Sequence, residues 1–106
     1  MSYNVNITDN AAADLYQIYD YIEKVLLSPQ AAENLYNDIL DMIKSLSEMP
    51  ERYREYDSER FAGKNLRFVN VKNYDILYTV NNQANQVDVV MIAYAPSDIP
   101  NKIVIH

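Results

Sequence analysis

Leu26-Leu27-Ser28-Pro29-Gln30-Ala31-Ala32 interrupts what would otherwise read as one long helical pattern. A serine oxygen is suited to capping a helix N-terminus, and proline at the first helical position gives up an N–H that would have no intrahelical partner. One helix therefore ends near Leu27 and a second begins at Pro29. Upstream, Leu15, Ile18, Ile22 and Val25 or Leu26 recur at helical spacing, with Asp14, Gln17, Asp20 and Glu23 between them. That is the pattern of an amphipathic helix. Downstream, Leu35, Ile39, Met42, Ile43 and Leu46 make the apolar stripe of the second helix, and Pro50 closes it. A joint of one or two residues makes the pair an antiparallel hairpin packed on its inner face.

Working outward, Tyr3, Val5 and Ile7 alternate with Ser2, Asn4, Asn6 and Thr8, which predicts a half-buried strand. Thr8, Asp9 and Asn10 supply oxygens to cap the first helix. Residues 50–65 are rich in charge and tyrosine, contain the chain's single glycine, Gly63, and read as a long loop with a short turn at most. Beyond it β-branched and aromatic residues predict strands at 66–72, 74–81 and 86–94, joined by a tight turn at Lys72-Asn73 and a polar turn at Asn81–Asn85. Val87–Tyr94 is apolar on both faces and should be central or covered on both sides. The order is β-α-α-β-β-β, an α+β fold with the helical hairpin packed on a small antiparallel sheet. The expected core is Leu15, Ile18, Ile22, Leu35, Ile39, Ile43 and Leu46 from the hairpin, with Val5, Ile7, Val69, Val71, Ile76, Tyr78, Val89 and Met91 from the sheet. After Pro96, the run Ile103-Val104-Ile105 predicts a tail that docks.

With 106 residues, 49% of them hydrophobic and 23% charged, the sequence fits one ordinary globular domain spanning 1–106. No apolar run reaches the roughly 20 residues of a membrane span, and Met1–Asn10 lacks the features of a secretory signal. The chain has no cysteine, hence no disulfide or thiolate metal site. A cytoplasmic protein is expected. The net charge of -6 is uneven. Residues 1–51 carry nine acids and two bases, a balance of -7, whereas residues 52–72 carry six bases and three acids, a balance of +3. Residues 73–106 have three acids and one base, or -2. An acidic chain is a poor general binder of nucleic acid. The basic segment is either a site for a polyanion or an acidic partner, or a solvated loop of mixed charge.

Four ordered patterns resemble the RelE/ParE family, the toxins of bacterial type II toxin–antitoxin modules that include plasmid-stabilisation and addiction proteins. They are Tyr3-x-Val5-x-Ile7-Thr8 with Ala12-x-Asp14-Leu15; Asp20-Tyr21-Ile22 leading to Ser28-Pro29-x-Ala31-Ala32; Leu46-x-x-Met49-Pro50-x-Arg52-Tyr53; and Leu66-Arg67 with Val71-x-Asn73-Tyr74-x-Ile76-x-Tyr78-x-Val80. The resemblance spans residues 3–80, and Val87–Tyr94 continues as the family's last core strand. It implies a compact toxin wrapped and neutralised by a cognate antitoxin. RelE-like members cleave mRNA in the ribosomal A site, whereas ParE-like members inhibit DNA gyrase. The Ser-Pro-x-Ala-Ala joint is more similar to the ParE side.

Cleaving RNA through its 2′-OH needs a group to assist deprotonation, a cation for the phosphorane charge and an acid for the leaving oxygen. RelE-like nucleases place arginines and lysines on the sheet, aided in some members by His, Glu or Tyr, and commonly have an ending that resembles His/Lys-Arg-x-x-x-Val-Tyr. The corresponding stretch here is Tyr94-Ala95-Pro96-Ser97-Asp98-Ile99-Pro100, with Ala95 at the expected arginine and Pro100 at or near the tyrosine. Asp75 stands where the family often has arginine. The single histidine, His106, has no companion. No phosphate-binding loop is present, Asp38 and Asp41 lack histidine partners, and neither a cofactor nor a metal is expected.

Arg54, Arg60, Lys64, Arg67 and Tyr74 are the candidate contacts to an antitoxin or target. Arg67 either grips a phosphate or carboxylate, or pairs with an acid of one of the two helices. Tyr74 and Tyr78 share a strand face, as core residues or as stacking platforms. Tyr16, Tyr19 and Tyr21 belong to the helix surface or to a groove for an antitoxin segment. The leading reading is a toxin that binds a protein target such as gyrase. The alternatives are a ribosome-dependent mRNA endoribonuclease and an inactive relative that keeps only antitoxin binding.

Overall fold

The computed structural model describes residues 2–55 and 66–95. Thr8 starts the first helix as its sequence suggests. Its hydroxyl accepts from the Ala11 amide at 3.2 Å and donates to the Val89 carbonyl at 2.9 Å. One side chain thus caps α1 (Asp9–Lys24) and ties it to the sheet. α2 (Pro29–Ser45) follows with Pro29 in its first turn.

The joint between the helices is longer than expected, covering residues 25–28. Leu27 adopts φ 52°, a left-handed conformation that costs a β-carbon-bearing residue about 1–2 kcal/mol. No glycine marks the reversal, so sequence alone places it too tightly. Ser28 caps α2 through its backbone carbonyl, which accepts from Ala32 at 3.0 Å, rather than through its side chain.

β1 (Asn4–Ile7), β2 (Leu66–Val71), β3 (Tyr74–Asn81) and β4 (Gln86–Tyr94) form one sheet in the order β1-β4-β3-β2. β4 is central, as its doubly apolar sequence predicts. The sheet is mixed rather than wholly antiparallel. β2, β3 and β4 meander, but β1 joins β4 in parallel, with Asn4 opposite Gln86 and Ile7 opposite Val89. Alternation in β1 reports which face is buried and says nothing of partner direction, so the parallel pairing was not legible there.

Both helices lie on one face of the sheet. Leu15, Ile22, Leu35, Ile39, Ile43 and Leu46 meet Val69, Val71, Ile76, Tyr78, Val80, Val87, Val89 and Ile92 in a single core. Val5, Ile7 and Ile18 pack at its margin, half-buried. Met91 does not belong to it: 39% of its surface is exposed. Tyr78 pairs with Val89 while the next residue back, Leu77, pairs with Met91, leaving Val90 as an extra residue in β4. This bulge reverses the inward phase, so Val87 and Val89 are followed inward by Ile92 and Tyr94. A strict period of two cannot see it.

Truncating Ile39, which is wholly buried, to alanine should cost about 2–5 kcal/mol. Met91→Ala should cost about 1 kcal/mol or less, as for an exposed position. Urea denaturation of the two variants checks both the α2 phase and the bulge; equal losses would place Met91 in the core after all.

Candidate functional site

The residues predicted to bind a partner separate toward opposite ends of the sheet. Arg67 and Tyr78 face each other across β2 and β3, whereas Tyr74 pairs with Val71 four residues further along. At a strand rise of about 3.3 Å per residue, the two positions lie about 13 Å apart.

At the first end, a 3-10 turn over Pro50–Arg52 crosses the sheet. The turn begins at Met49, which adopts φ 49°, and Arg52 donates back to the Glu48 and Met49 carbonyls. The Arg52 guanidinium also stacks 4.6 Å from the centre of the Tyr53 ring. Tyr78, wholly buried, donates its hydroxyl to the Pro50 carbonyl at 2.6 Å. Burial pushes the Tyr78 phenol up to about 12, opposed by the positive charge of Arg67. Arg67 donates to the Tyr53 carbonyl at 2.7 Å and approaches Glu55 at 3.4 Å and Glu51 at 3.9 Å. The expected partners for Arg67 were acids of the helices; its carboxylates instead come from the segment it holds down. The Phe68 amide donates to the Arg54 carbonyl at 3.1 Å, and Glu55 bridges to Arg67, so residues 54–55 extend along the outer edge of β2.

Of the other predicted contacts, Arg54 is exposed at this end. Arg60 and Lys64 lie outside the described residues, as do Gly63, Pro100, the Ile103–Ile105 run and His106. Lys72 pairs with Asp38 of α2 at 3.0 Å across an exposed surface, a contact of little energetic weight. Among the described residues no three His, Cys, Asp or Glu side chains gather as metal ligands. None of the helices described is long and apolar enough to cross a membrane.

At the second end, Tyr74 is half-buried and meets Tyr94 edge to face, ring centres 5.5 Å apart. Burial raises the Tyr74 phenol above its ordinary range, reinforced by Tyr94 and Tyr21. These tyrosines wall an open groove of about 850 Å³ between the hairpin and the end of β4, with Ile18, Leu26 and Leu35 along its floor and sides. Asp14, also on the groove, accepts from the Ile92 amide at 3.1 Å. Tyr78 is thus a core residue and Tyr74 a groove residue, although they share one strand face. The other tyrosines divide in the same way. Tyr16 and Tyr19 line a second groove of about 610 Å³ with Ile7, Leu15 and Leu40, where Tyr19 meets Tyr36 edge to face at 5.8 Å. Sequence reasoning missed Tyr94 and Leu26. Only the bulge turns Tyr94 to the helix side, and helical spacing ends the inward stripe at either Val25 or Leu26, both of which are exposed.

The outer face of the sheet, away from the helices, follows from the register. Its cross-strand rows are Asn6, Asp88, Thr79 and Leu66; then Met91, Leu77 and Phe68; then Ala93, Asp75 and Asn70. Asp75 is buried there and accepts from the Asn70 amide group at 3.0 Å.

The sequence matches the family model for the ParE toxin of the type II toxin–antitoxin system parDE over residues 5–95. The chain belongs to that family. The toxin also shares its fold with solved structures. The chromosomal ParDE toxin–antitoxin system from P. aeruginosa matches with a TM-score of 0.71 and 23% identity, covering 89% of this chain and 97% of that one. The RelBE2 toxin–antitoxin complex from Mycobacterium tuberculosis matches at 0.63 and 18% identity, covering 89% and 92%. An archaeal RelE–RelB complex from Pyrococcus horikoshii matches at 0.61 and 18%, covering 89% and 96%. At such identities the likeness establishes fold alone. No curated protein sequence matches the chain closely enough to count as a relative.

Replacing Tyr78 by phenylalanine leaves the buried Pro50 carbonyl without its donor and should cost about 1–3 kcal/mol. The phenol is raised in the folded state, so its contribution is complete below pH about 10 and is lost as pH climbs through about 12. Alkaline titration of stability should therefore show a loss between these values that Tyr78→Phe removes.

Proposed function

We propose that this toxin acts by binding a protein target, with DNA gyrase the target that its ParE-like features imply, and that a cognate antitoxin holds it silent. The observation carrying this reading is the outer face of the sheet. Among its described residues are two carboxylates, Asp75 and Asp88, and no arginine or lysine. Asp75 is buried, so it is the half-buried Asp88 that would put negative charge where transition-state stabilisation over that face needs positive charge. The net charge of -6 likewise disfavours a surface made of ribosomal RNA. An antitoxin partner is supported by the family and by the solved relatives, which are toxin–antitoxin systems and complexes.

The basic segment is the natural seat for an acidic stretch of that antitoxin. Arg54 is exposed and would act as a rim charge, together with Arg60 and Lys64. Arg67 would act from behind, because it holds residues 53–55 against the sheet. Tyr74 stands at the other end and would serve a separate contact.

Two assays test the target. Purified gyrase should lose supercoiling activity in the presence of the toxin, and translated mRNA should show no new codon-phased ends by primer extension. The reverse pair of results would replace this reading with an endoribonuclease, and silence in both would leave an inactive relative. For the antitoxin, a combined Arg54→Ala, Arg60→Ala, Lys64→Ala variant should associate more slowly and with weaker salt dependence, while Arg67→Ala should dissociate faster. Unchanged kinetics in both at low and high salt would make the segment a solvated loop.

A further inference from the structure

We propose that the groove between the hairpin and the end of β4 binds a linear aliphatic diamine, one ammonium at Asp14 and the other at the corner of Tyr21, Tyr74 and Tyr94. The two ends of the groove carry different recognition chemistry. At one end Asp14, half-buried on α1, accepts from the Ile92 amide through Oδ2. Its other oxygen, Oδ1, bonds no described residue and is available to a cation. At the other end the Tyr74 and Tyr94 rings meet at 67°, a corner rather than a closed stack. Tyr21 on α1 lines the same groove and is near enough to act on the Tyr74 phenol. Tyr94 is 67% exposed and Tyr21 52%, so much of each ring is open to a ligand. A cation within about 6 Å of a tyrosine ring centre is attracted by the ring quadrupole.

The spacing of the two ends sets the length of the ligand. Along α1, Tyr21 stands about 10 Å beyond Asp14 at 1.5 Å per residue. Along β4, Tyr94 stands about 7 Å beyond Ile92, whose amide Asp14 holds. Extended chain gains about 1.2 Å per bond, so about six to nine bonds between the two nitrogens bridge these distances. Ile18, Ile22, Leu35 and Ile92 lie along the groove and suit the methylenes in between. Its volume of about 850 Å³ is that of a small-molecule site, for which about 300–1,000 Å³ is usual. Charge selects a cation over other ligands. Residues 1–51, which supply both helices, carry -7. Among the lining residues Lys72 is the cation, and Asp38 neutralises it at 3.0 Å. An anion would meet Asp14 directly, and a neutral chain would leave its Oδ1 without a partner.

In the 15N-labelled full-length protein, 1,6-diaminohexane should shift the amides of Asp14, Tyr21, Tyr74 and Tyr94 saturably, with a Kd of about a millimolar. Amides around Tyr36 and Leu40, in the second groove, should stay in place. Hexylamine and hexane-1,6-diol should each bind about fivefold more weakly or worse, since each lacks at least one ammonium. Asp14→Asn keeps an oxygen for the Ile92 amide but loses the charge, and should bring the diamine down to the level of hexylamine. Tyr94→Leu should weaken it similarly, whereas Tyr94→Phe, which keeps the ring, should bind like the parent. Equal affinity for the diol would make the groove merely apolar and overturn the proposal. Equal shifts with magnesium chloride, or shifts spread over every carboxylate-bearing residue, would reduce the effect to general charge attraction and reject it. So would the lack of saturation by about ten millimolar diamine. A peptide of alternating lysine and leucine that binds more than about tenfold tighter would make the groove a protein-docking surface instead. Shifts of the same amides on dilution of the ligand-free protein would give it to a second copy of the chain, again overturning the proposal.

Discussion

β4 is held on both flanks, and the way its outer flank is satisfied organises the molecule. β1 supplies a parallel partner only as far as Val89. Beyond that point α1 takes over with side chains: Thr8 bonds the Val89 carbonyl, Asn10 the Val90 carbonyl at 2.9 Å and Asp14 the Ile92 amide at 3.1 Å. A strand running under a helix would otherwise bury unpaired backbone groups, each costing as much as a lost hydrogen bond. The bulge at Val90 falls where this change of partner occurs. It bends the strand and turns Ile92 and Tyr94 toward the hairpin.

From that arrangement the two ends of the sheet acquire different characters. At the Arg67 end, the crossing segment 50–55 is held through a buried phenol, an arginine and a backbone bridge to β2. These contacts all lie within the chain. At the Tyr94 end, α1 and α2 stand away from the sheet and a groove opens between them. Apolar surface remains exposed there because no described element packs over it.

The charge distribution follows the same division. The acids of residues 1–51 lie on the hairpin and the segment that follows it, while of the described cations of 52–72 Arg54 and Arg67 lie at β2 and Lys72 lies against α2. Arg52, Arg67 and Lys72 are partly spent on contacts within the chain, with the Tyr53 ring, the Tyr53 carbonyl and Asp38 respectively. Net segment charge therefore overstates what is offered to a partner. The exposed Arg54 is the clearer rim group.

The helical hairpin, the order of elements and the central place of β4 were legible because each rests on local chemistry or on a long apolar pattern: Thr8 and Pro29 at helix starts, stripes at 3.6-residue spacing, and Val87–Tyr94 apolar on both faces. So was the core position of Ile39 and Tyr78. The parallel direction of β1, the left-handed Leu27 and the Val90 bulge were decided only by tertiary structure. Each depends on what lies opposite a residue rather than beside it in sequence. The same reason divides the candidate site. The cations could be named from their run in the chain, but one arginine's commitment to Tyr53 and Glu55, and the meeting of Tyr74 with Tyr94, arise from residues that only the sheet register brings together.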